Sequence, residues 1–235
     1  MPRTAIPVRP QPEQRATRRG RPPRELAGEV DDRILDAARR VFFERGFAGA
    51  SIDEIARLAG AGKPAMYARF PSKEALFTAV VTRNSRRVVA QFENESPVGA
   101  TIEERLVSIG RNLLTGLLTG DNIDFMRLSI AEVRRFPDLA NAGRMARERG
   151  AQALAQALSE VAQGEARGAF PGFAPERLPA TVRFFLDLVV TRFLLRALTG
   201  EDLVQLRSEI DQHVPLAVAF FLAACRQSGV DHHSG

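Results

Sequence analysis

The sequence predicts an all-α protein with a small basic module at its N-terminal end and a larger helical domain behind it. Apolar residues recur three and four positions apart in segments separated by glycine, proline or short polar loops, and no alternating strand pattern competes with this spacing. Residues 1–90 hold 18 Lys and Arg against 10 Asp and Glu, whereas residues 91–235 hold 15 against 18. The N-terminal half is therefore the part that would bind a polyanion.

Composition excludes several classes of protein. With 235 residues, 45% of them hydrophobic, the chain is long enough to bury a core. Cys225, the single cysteine, lies in an apolar run and is expected to be a small buried side chain. The N-terminus lacks the apolar stretch of a secretory signal, and Asp187, Arg192 and Arg196 interrupt the longest apolar region. We therefore expect a cytoplasmic protein with no membrane partner.

Residues 1–29 are predicted to form a flexible basic arm, because they contain six of the 14 prolines and seven arginines. The densest part of this arm holds Arg18, Arg19 and Arg21 next to glycine and proline. Extended arginines in such a context can enter the narrow minor groove of A·T-rich DNA. The alternative is a solvated tail that attracts phosphates without any sequence preference.

The helices are predicted from their start and stop signals. A helix over 31–45, ended by Gly46, would brace two short helices within 51–70. A long helix that starts after Ser72 and runs to about residue 94 would contain the domain boundary. Further helices are predicted at about 102–118, 122–135, 138–164, 176–198 and 203–226, which gives domains at 30–89 and 90–228 and a tail at 229–235.

The stretch 51–70 is typical of a helix-turn-helix, because two short helical patterns meet there at a tight glycine turn. Ser51 can cap the first helix, and Glu54 three residues later completes a capping box. Lys63 and Pro64 open the second helix. The inward positions of that helix are Met66 and Phe70, and the outward positions are Lys63, Ala65, Tyr67 and Arg69. Together, the outward side chains could form a surface that contacts a DNA groove.

Two lysines support this interpretation. Lys63 and Lys73 each lie at a predicted helix start, where the helix dipole makes a cation unfavourable by about 0.3–1 kcal/mol. A phosphate at each start would remove the conflict, because backbone N–H groups, the dipole and the lysine would then converge on one anion. The alternative is that each lysine is solvated and that its small cost is tolerated.

Three successive segments, ILDAARRVFFERGF, SIDEIARLAG and KPAMYARFPSKEALF, resemble the TetR family of bacterial transcriptional regulators. The resemblance covers roughly residues 30–89, and FMRLSIAEVRRFPDLA is similar to a segment found in one branch of the family's regulatory domains. It implies a three-helix DNA-binding domain followed by a helical domain for ligand binding and dimerisation. It also implies a ligand-responsive repressor that binds a palindromic operator as a homodimer and is released by a small molecule.

The resemblance assigns roles at matching positions. It implies phosphate contacts from Tyr67 and Lys73, a hydroxyl near the DNA backbone from Ser51, and a basic residue at the start of the recognition helix from Lys63. Gly62, Pro64 and Ala68 depart from the residues common in the family, and these departures remove groups that could hydrogen-bond to bases. Direct readout is then expected from Arg69, Lys63 and the methyl groups of Ala65 or Ala68.

The last two predicted helices carry more apolar surface than one side of a monomer usually covers. We expect them to pair across a two-fold axis, as the resemblance also implies, through Phe184, Phe185, Leu188, Phe193, Val218, Phe221 and Leu222. The alternative is that both helices only complete the monomer core. A cavity for a small apolar or amphipathic effector is expected near Phe92, Phe125, Met126 and Leu128.

An enzyme and an architectural DNA-binding protein are the two alternative classes of function. An enzyme is disfavoured, because the three histidines show no metal-ligand spacing and the chain has no phosphate loop or nucleophile elbow. We therefore expect no catalytic residue, metal or cofactor. An architectural DNA-binding protein, in which the arm dominates and the C-terminal helices only dimerise, would bind with a steep salt dependence and little sequence preference.

Overall fold

The computed structural model describes residues 24–162 and 169–226. Within these ranges the fold is all-α, with helices joined by loops and turns and no strand. The α-helices are α1 (Arg24–Gly49), α2 (Ile52–Ala59), α3 (Lys63–Arg69), α4 (Lys73–Glu93), α5 (Ile102–Leu117), α6 (Gly120–Glu132), α7 (Pro137–Val161), α8 (Leu178–Leu186), α9 (Arg192–Leu198) and α10 (Leu203–Arg226). A 3₁₀ turn lies at Pro171–Phe173. The predicted fold class is confirmed.

The first helix is longer than its sequence pattern indicates. It begins at Arg24, so residues 24–29, which the sequence assigns to the arm, are helical. The helical conformation breaks at Gly46, where φ is +66°, and this confirms the predicted end. The arginines of the proposed minor-groove contact, Arg18, Arg19 and Arg21, lie outside the described residues, as does the tail at 229–235.

Capping explains where the long central helices start. The Ser72 hydroxyl accepts a hydrogen bond from the backbone N–H of Ala75 at 3.1 Å and caps α4 as predicted. Thr101 and Glu104 form a complete capping box at the start of α5. The Glu104 carboxylate accepts from the backbone N–H groups of Ala100 and Thr101, and these bonds lower its pKa.

The helix predicted over 176–198 is interrupted. A π-helical segment, Asp187–Thr191, separates α8 from α9. Such a segment shifts the backbone hydrogen-bond pattern and leaves carbonyl groups in need of other partners. The Leu188 carbonyl accepts a hydrogen bond from His213 Nε2 at 2.9 Å, so α10 supplies the partner.

Two clusters of buried side chains hold the fold together. The N-terminal core is built mainly by α1 to α4, with Phe42 and Phe77 in edge contact at 4.9 Å, and it also contains Phe125 of α6 and Leu139 of α7. The C-terminal core is built by α5 and by α7 to α10 around residues such as Phe185, and it also contains Ile123 of α6. The predicted boundary at 89–90 therefore does not separate the two cores, because α6 and α7 contribute to both.

Cys225 is buried as predicted, and burial raises the pKa of its thiol to about 11. None of the described helices combines the length and the apolar character that a membrane crossing requires.

Five of the seven side chains assigned to the dimer interface lie inside the chain's own C-terminal core. These are Phe185, Phe193, Val218, Phe221 and Leu222. Phe185 and Phe221, for example, make an edge contact at 5.1 Å. The assignment of these five was wrong, because helices with two apolar faces do not indicate by sequence which face packs inward. Phe184 and Leu188 are exposed, in agreement with an interface position.

Candidate DNA-binding interface

The turn between α2 and α3 fixes the angle of the helix-turn-helix. Gly60 has φ +61°, a left-handed conformation that glycine adopts without steric cost, and its neighbour Ala61 donates a backbone hydrogen bond to the Ala56 carbonyl at 3.0 Å. Ile55 and Met66 are buried in the N-terminal core. The two helices are thereby anchored against α1 and α4, which leaves the opposite side of α3 open to solvent.

That open side of α3 forms a continuous surface, which we call the α3 face. Its exposed side chains are Lys63, Pro64, Tyr67 and Ala68, whereas Ala65 is half-buried. Tyr67, the only tyrosine of the chain, is 50% exposed and is therefore not a packed core residue. A cation and an amphipathic ring on a short exposed helix suit contact with DNA phosphates and groove edges.

Ser51 does not form the predicted capping box. Its hydroxyl makes no capping hydrogen bond, although its backbone has the extended conformation of a cap residue. The Glu54 carboxylate instead accepts a hydrogen bond from Arg45 Nη2 at 2.8 Å. This arginine lies at the end of the helical part of α1, and its guanidinium takes the place of the Ser51 backbone N–H as the donor to the Glu54 carboxylate. The Ser51 side chain is exposed, so its hydroxyl remains accessible to DNA.

Both lysines at helix starts have partners within the chain. The Lys63 ammonium lies 2.7 Å from the Asp53 carboxylate, and this hydrogen bond raises the pKa of Lys63. Lys73 Nζ donates to the Ala48 carbonyl at 3.2 Å and lies 4.8 Å from the centre of the Phe47 ring. A phosphate is therefore not the only way to offset the helix dipole, and the position of these lysines alone is weaker support for DNA contact than the sequence indicated.

Arg69 does not point freely from the α3 face. Its Nε forms a salt bridge with the Asp31 carboxylate of α1, and its Nη1 donates to the Ala65 carbonyl at 3.1 Å. These partners hold the guanidinium between α1 and α3, which argues against the prediction that Arg69 reads a base. No local sequence pattern indicates this pairing, because Asp31 and Arg69 are far apart along the chain and lie in different helices.

The four residues assigned to an effector cavity do not line one space. Phe125 is buried in the N-terminal core, and Leu128 packs against that core. Phe92 packs against the C-terminal core. Met126 is half-buried on α6, with its sulfur 3.8 Å from the Asn122 side-chain nitrogen. The predicted grouping was wrong, because Phe125 and Leu128 of α6 pack toward the N-terminal core whereas Phe92 packs toward the C-terminal core.

Two open clefts lie elsewhere on the described surface. One, of about 590 Å³, runs between α1, α4 and α7 and is lined by residues that include Asp32, Arg83 and Asp138. The other, of about 650 Å³, lies beside α5 and includes Glu104 and Arg111. Charged side chains line both clefts, and neither contains the four residues proposed for the effector.

A second surface lies on the last helices of the chain. Large apolar side chains are exposed on α8 to α10 and on the π-helical segment between α8 and α9, and we call five of them the apolar stripe. Its members are Phe184, Leu188, Leu195, Leu216 and Phe220. Most helices of a monomer turn such residues inward, so a stripe of five is typical of a surface that another protein covers.

Comparison with known proteins identifies the family. Residues 34–80 match the model for bacterial regulatory proteins of the tetR family, and residues 104–227 match the model for the C-terminal domain of AefR-like transcriptional repressors. This chain belongs to the TetR family. It is a DNA-binding transcriptional regulator and not an enzyme, as the sequence predicted.

Relatives agree over most of the chain. An HTH-type transcriptional repressor of Mycobacterium tuberculosis is 28% identical over 181 residues, which cover 76% of this chain and 87% of that protein. The structure of a TetR-family regulator from Mesorhizobium loti shares the fold with a TM-score of 0.72 at 24% identity, covering 84% of this chain and 97% of that one. The flavonoid-responsive regulator FrrA has a TM-score of 0.68 at 30% identity, with 86% and 99% covered.

Proposed function

We propose that this TetR-family regulator is a cytoplasmic repressor that binds a palindromic operator as a homodimer and is released by a small apolar or amphipathic effector. The observation that carries the proposal is the α3 face, on which Lys63, Tyr67 and Ala68 are exposed on a helix anchored by buried Met66. Such a helix can enter the major groove, while Lys73 at the start of α4 reaches the flanking phosphates. The M. tuberculosis relative named above is described as a repressor.

A homodimer is supported by the apolar stripe. A second copy of this chain is the occupant that we propose for it, because TetR-family regulators typically act as dimers. Two-fold pairing through one self-complementary surface places two α3 faces side by side. The two α3 faces must reach major grooves that are one helical turn of DNA, ~34 Å, apart.

Release by an effector follows from linkage. A ligand that binds one form of the dimer more tightly shifts the population toward that form, and DNA is released if the two α3 faces no longer match the groove spacing. FrrA, which is 30% identical to this chain, is described as flavonoid-responsive. We accordingly propose a small, largely apolar molecule as the effector and place its binding site in the part of the chain after α4.

Selection of bound fragments from the source genome, followed by titration, tests the proposal. A repressor should prefer its selected site over random DNA by on the order of a thousandfold or more. Binding that depends steeply on salt but differs little between the two DNAs would support the architectural alternative instead. Genes next to the selected site would then suggest which small molecules to test for release.

A further inference from the structure

The ring of Phe47 is shared by two cations from different parts of the chain. Lys73 Nζ, at the start of α4, lies 4.8 Å from the ring centre. Arg135 Cζ lies 5.9 Å from the same centre and 5.3 Å from the Phe136 ring. Phe47 and Phe136 themselves are in contact, with ring centres 4.6 Å apart. The elbow between α6 and α7, residues 133–136, therefore lies against the DNA-binding module at the point where α4 begins.

The cations of this elbow are available for an outside partner. Arg134 and Arg135 are both exposed, and within the described part of the chain neither has a carboxylate at ion-pair distance. Lys63 and Arg69, in contrast, are both paired with aspartates. Glu74, in the first turn of α4, is near enough for the charges of Lys73 and Arg135 to help lower its pKa, after the larger effects of its own backbone N–H and Ser72.

We propose that Arg135 binds a phosphate of the DNA backbone next to the phosphate that Lys73 contacts, with Arg134 adding to the same attraction. This inference rests on the proposed docking of Lys73 on DNA. Each strand carries one negative charge per about 3.4 Å of helix axis, so two cations that flank one phenyl ring fall within reach of neighbouring phosphates. A guanidinium suits this task, because its fork of N–H donors matches the oxygens of a phosphate.

The proposal gives the regulatory part of the chain a direct contact with DNA. The elbow joins α6 to α7. Both helices also contact helices of the C-terminal core: α6 contacts α9, and α7 contacts α5 and α8. An effector that moves α6 and α7 would then withdraw Arg135 from its phosphate, in addition to changing the spacing of the two α3 faces.

Binding to a short duplex of random sequence, measured at several salt concentrations, tests the proposal without knowledge of the operator. Arg135→Gln keeps an aliphatic stem to pack on Phe136 but removes the charge. We expect the slope of log affinity against log salt to become shallower by about 0.9 for each protomer bound, because one counterion fewer is released per lost phosphate contact. Arg147→Gln is the matched control, since Arg147 is another exposed arginine about three helical turns further along α7.

Three results are informative. A shallower slope for Arg135→Gln and an unchanged slope for Arg147→Gln would support the proposal. A lower affinity with an unchanged slope would overturn it, because Arg135 would then only position Phe47 and Lys73. Wild-type protein that binds neither random nor selected DNA would instead contradict the proposed function, and the elbow contact with it. Far-UV circular dichroism of both variants confirms that the slopes are compared between folded proteins.

A second measurement locates the contact. Neutral methylphosphonate linkages, placed one at a time along the backbone of the selected operator, remove single phosphate charges. Wild-type protein should lose affinity at the linkage that Arg135 contacts, whereas Arg135→Gln should bind that DNA and the unmodified DNA equally well. If every linkage weakens both proteins by the same factor, Arg135 does not contact a phosphate.

Discussion

At the scale of single residues, Tyr67 offers the cleanest test of the α3 face. Tyr67→Phe removes one hydroxyl from a side chain that is 50% exposed, so the fold should be unaffected. If the hydroxyl donates to a phosphate, affinity for selected and random DNA should fall by the same factor, about tenfold for a loss of ~1.5 kcal/mol. Parallel titrations of the two DNAs measure this. A loss of preference for the selected site, with no change on random DNA, would mean that Tyr67 contacts a base instead.

Substitution of Lys73 is a less direct test of DNA contact, although the resemblance assigns Lys73 a phosphate contact like that of Tyr67. Its ammonium also bonds the Ala48 carbonyl and lies over the Phe47 ring, so its removal would disturb the junction of α1, α4 and the elbow.

The comparison of Ser51 with Thr101 shows what sequence can and cannot predict for single residues. Both begin a capping-box pattern, but only at Thr101 is the glutamate three residues later free of a competing arginine.

At the scale of helices, the starts of α4, α5 and α10 could be predicted closely, because caps and breakers are local signals. The inward face of α8 to α10 could not be predicted. These helices carry apolar residues on more than one face, so their orientation depends on neighbours distant in sequence. Phe185 and Phe221, which the sequence assigned to the interface, are buried in the monomer, whereas their neighbours in sequence, Phe184 and Phe220, are exposed.

The apolar stripe predicts a particular dimer variant. Phe220 is 73% exposed in the monomer, so Phe220→Arg should leave each chain folded but place two like charges in the proposed interface. Sedimentation velocity should show a shift from dimer to monomer, and operator affinity should fall as the second α3 face is lost. Val98→Arg is the control, because Val98 is 74% exposed and lies outside the stripe. A Phe220→Arg protein that remains dimeric would remove the stripe from the interface.

Between α9 and α10, one arginine joins two glutamates. Arg196 Nη1 lies 2.6 Å from the Glu209 carboxylate and also bonds Glu201, and these hydrogen bonds lower the pKa of both glutamates below the ordinary 4.5. A lowered pKa in the folded state contributes stability above pH ~4.5, and this contribution disappears as the pH falls through the lower folded values. Arg196→Gln should therefore lower the melting temperature near neutral pH, and the difference from wild type should shrink as the pH is lowered below ~4.5. A difference that stays constant with pH would show that the glutamates do not depend on Arg196.

At the scale of the whole molecule, α6 connects the DNA-binding module to the helices that carry the apolar stripe. Its Arg127 donates to the carbonyls of Ala197 and Leu198 at the end of α9, at 2.5 and 3.1 Å. Near the start of α6, Asp121 pairs with Arg39 of α1 at 2.6 Å. These contacts join residues about 70 and 80 positions apart, which is why no sequence pattern indicated them. The helix α6 is thus in direct contact with both α1 of the DNA-binding module and the end of α9.

The shared core predicts that the two parts of the chain unfold together. Phe125 of α6 is buried beside Phe77 of α4, with ring centres 6.1 Å apart, so Phe125→Ala should destabilise the DNA-binding module by about 3–5 kcal/mol although the residue belongs to the regulatory part. The chain has one tyrosine and no tryptophan, so intrinsic fluorescence reports on Tyr67 in α3 while far-UV circular dichroism reports on all helices. Thermal transitions followed by the two signals should coincide in the wild type and shift together in the variant.

Ile130→Ala is the matched control for this experiment, since Ile130 is an exposed residue on the same helix and its removal should change stability by no more than about 0.5 kcal/mol. If Phe125→Ala shifts only the circular dichroism transition and leaves the Tyr67 transition in place, the DNA-binding module folds without α6. An effector could then act on the DNA-binding module only through α4 and the dimer. If both transitions shift, α6 is part of the structure that holds α3 in position, and a ligand that loosens α6 must weaken DNA binding through the stability of that module.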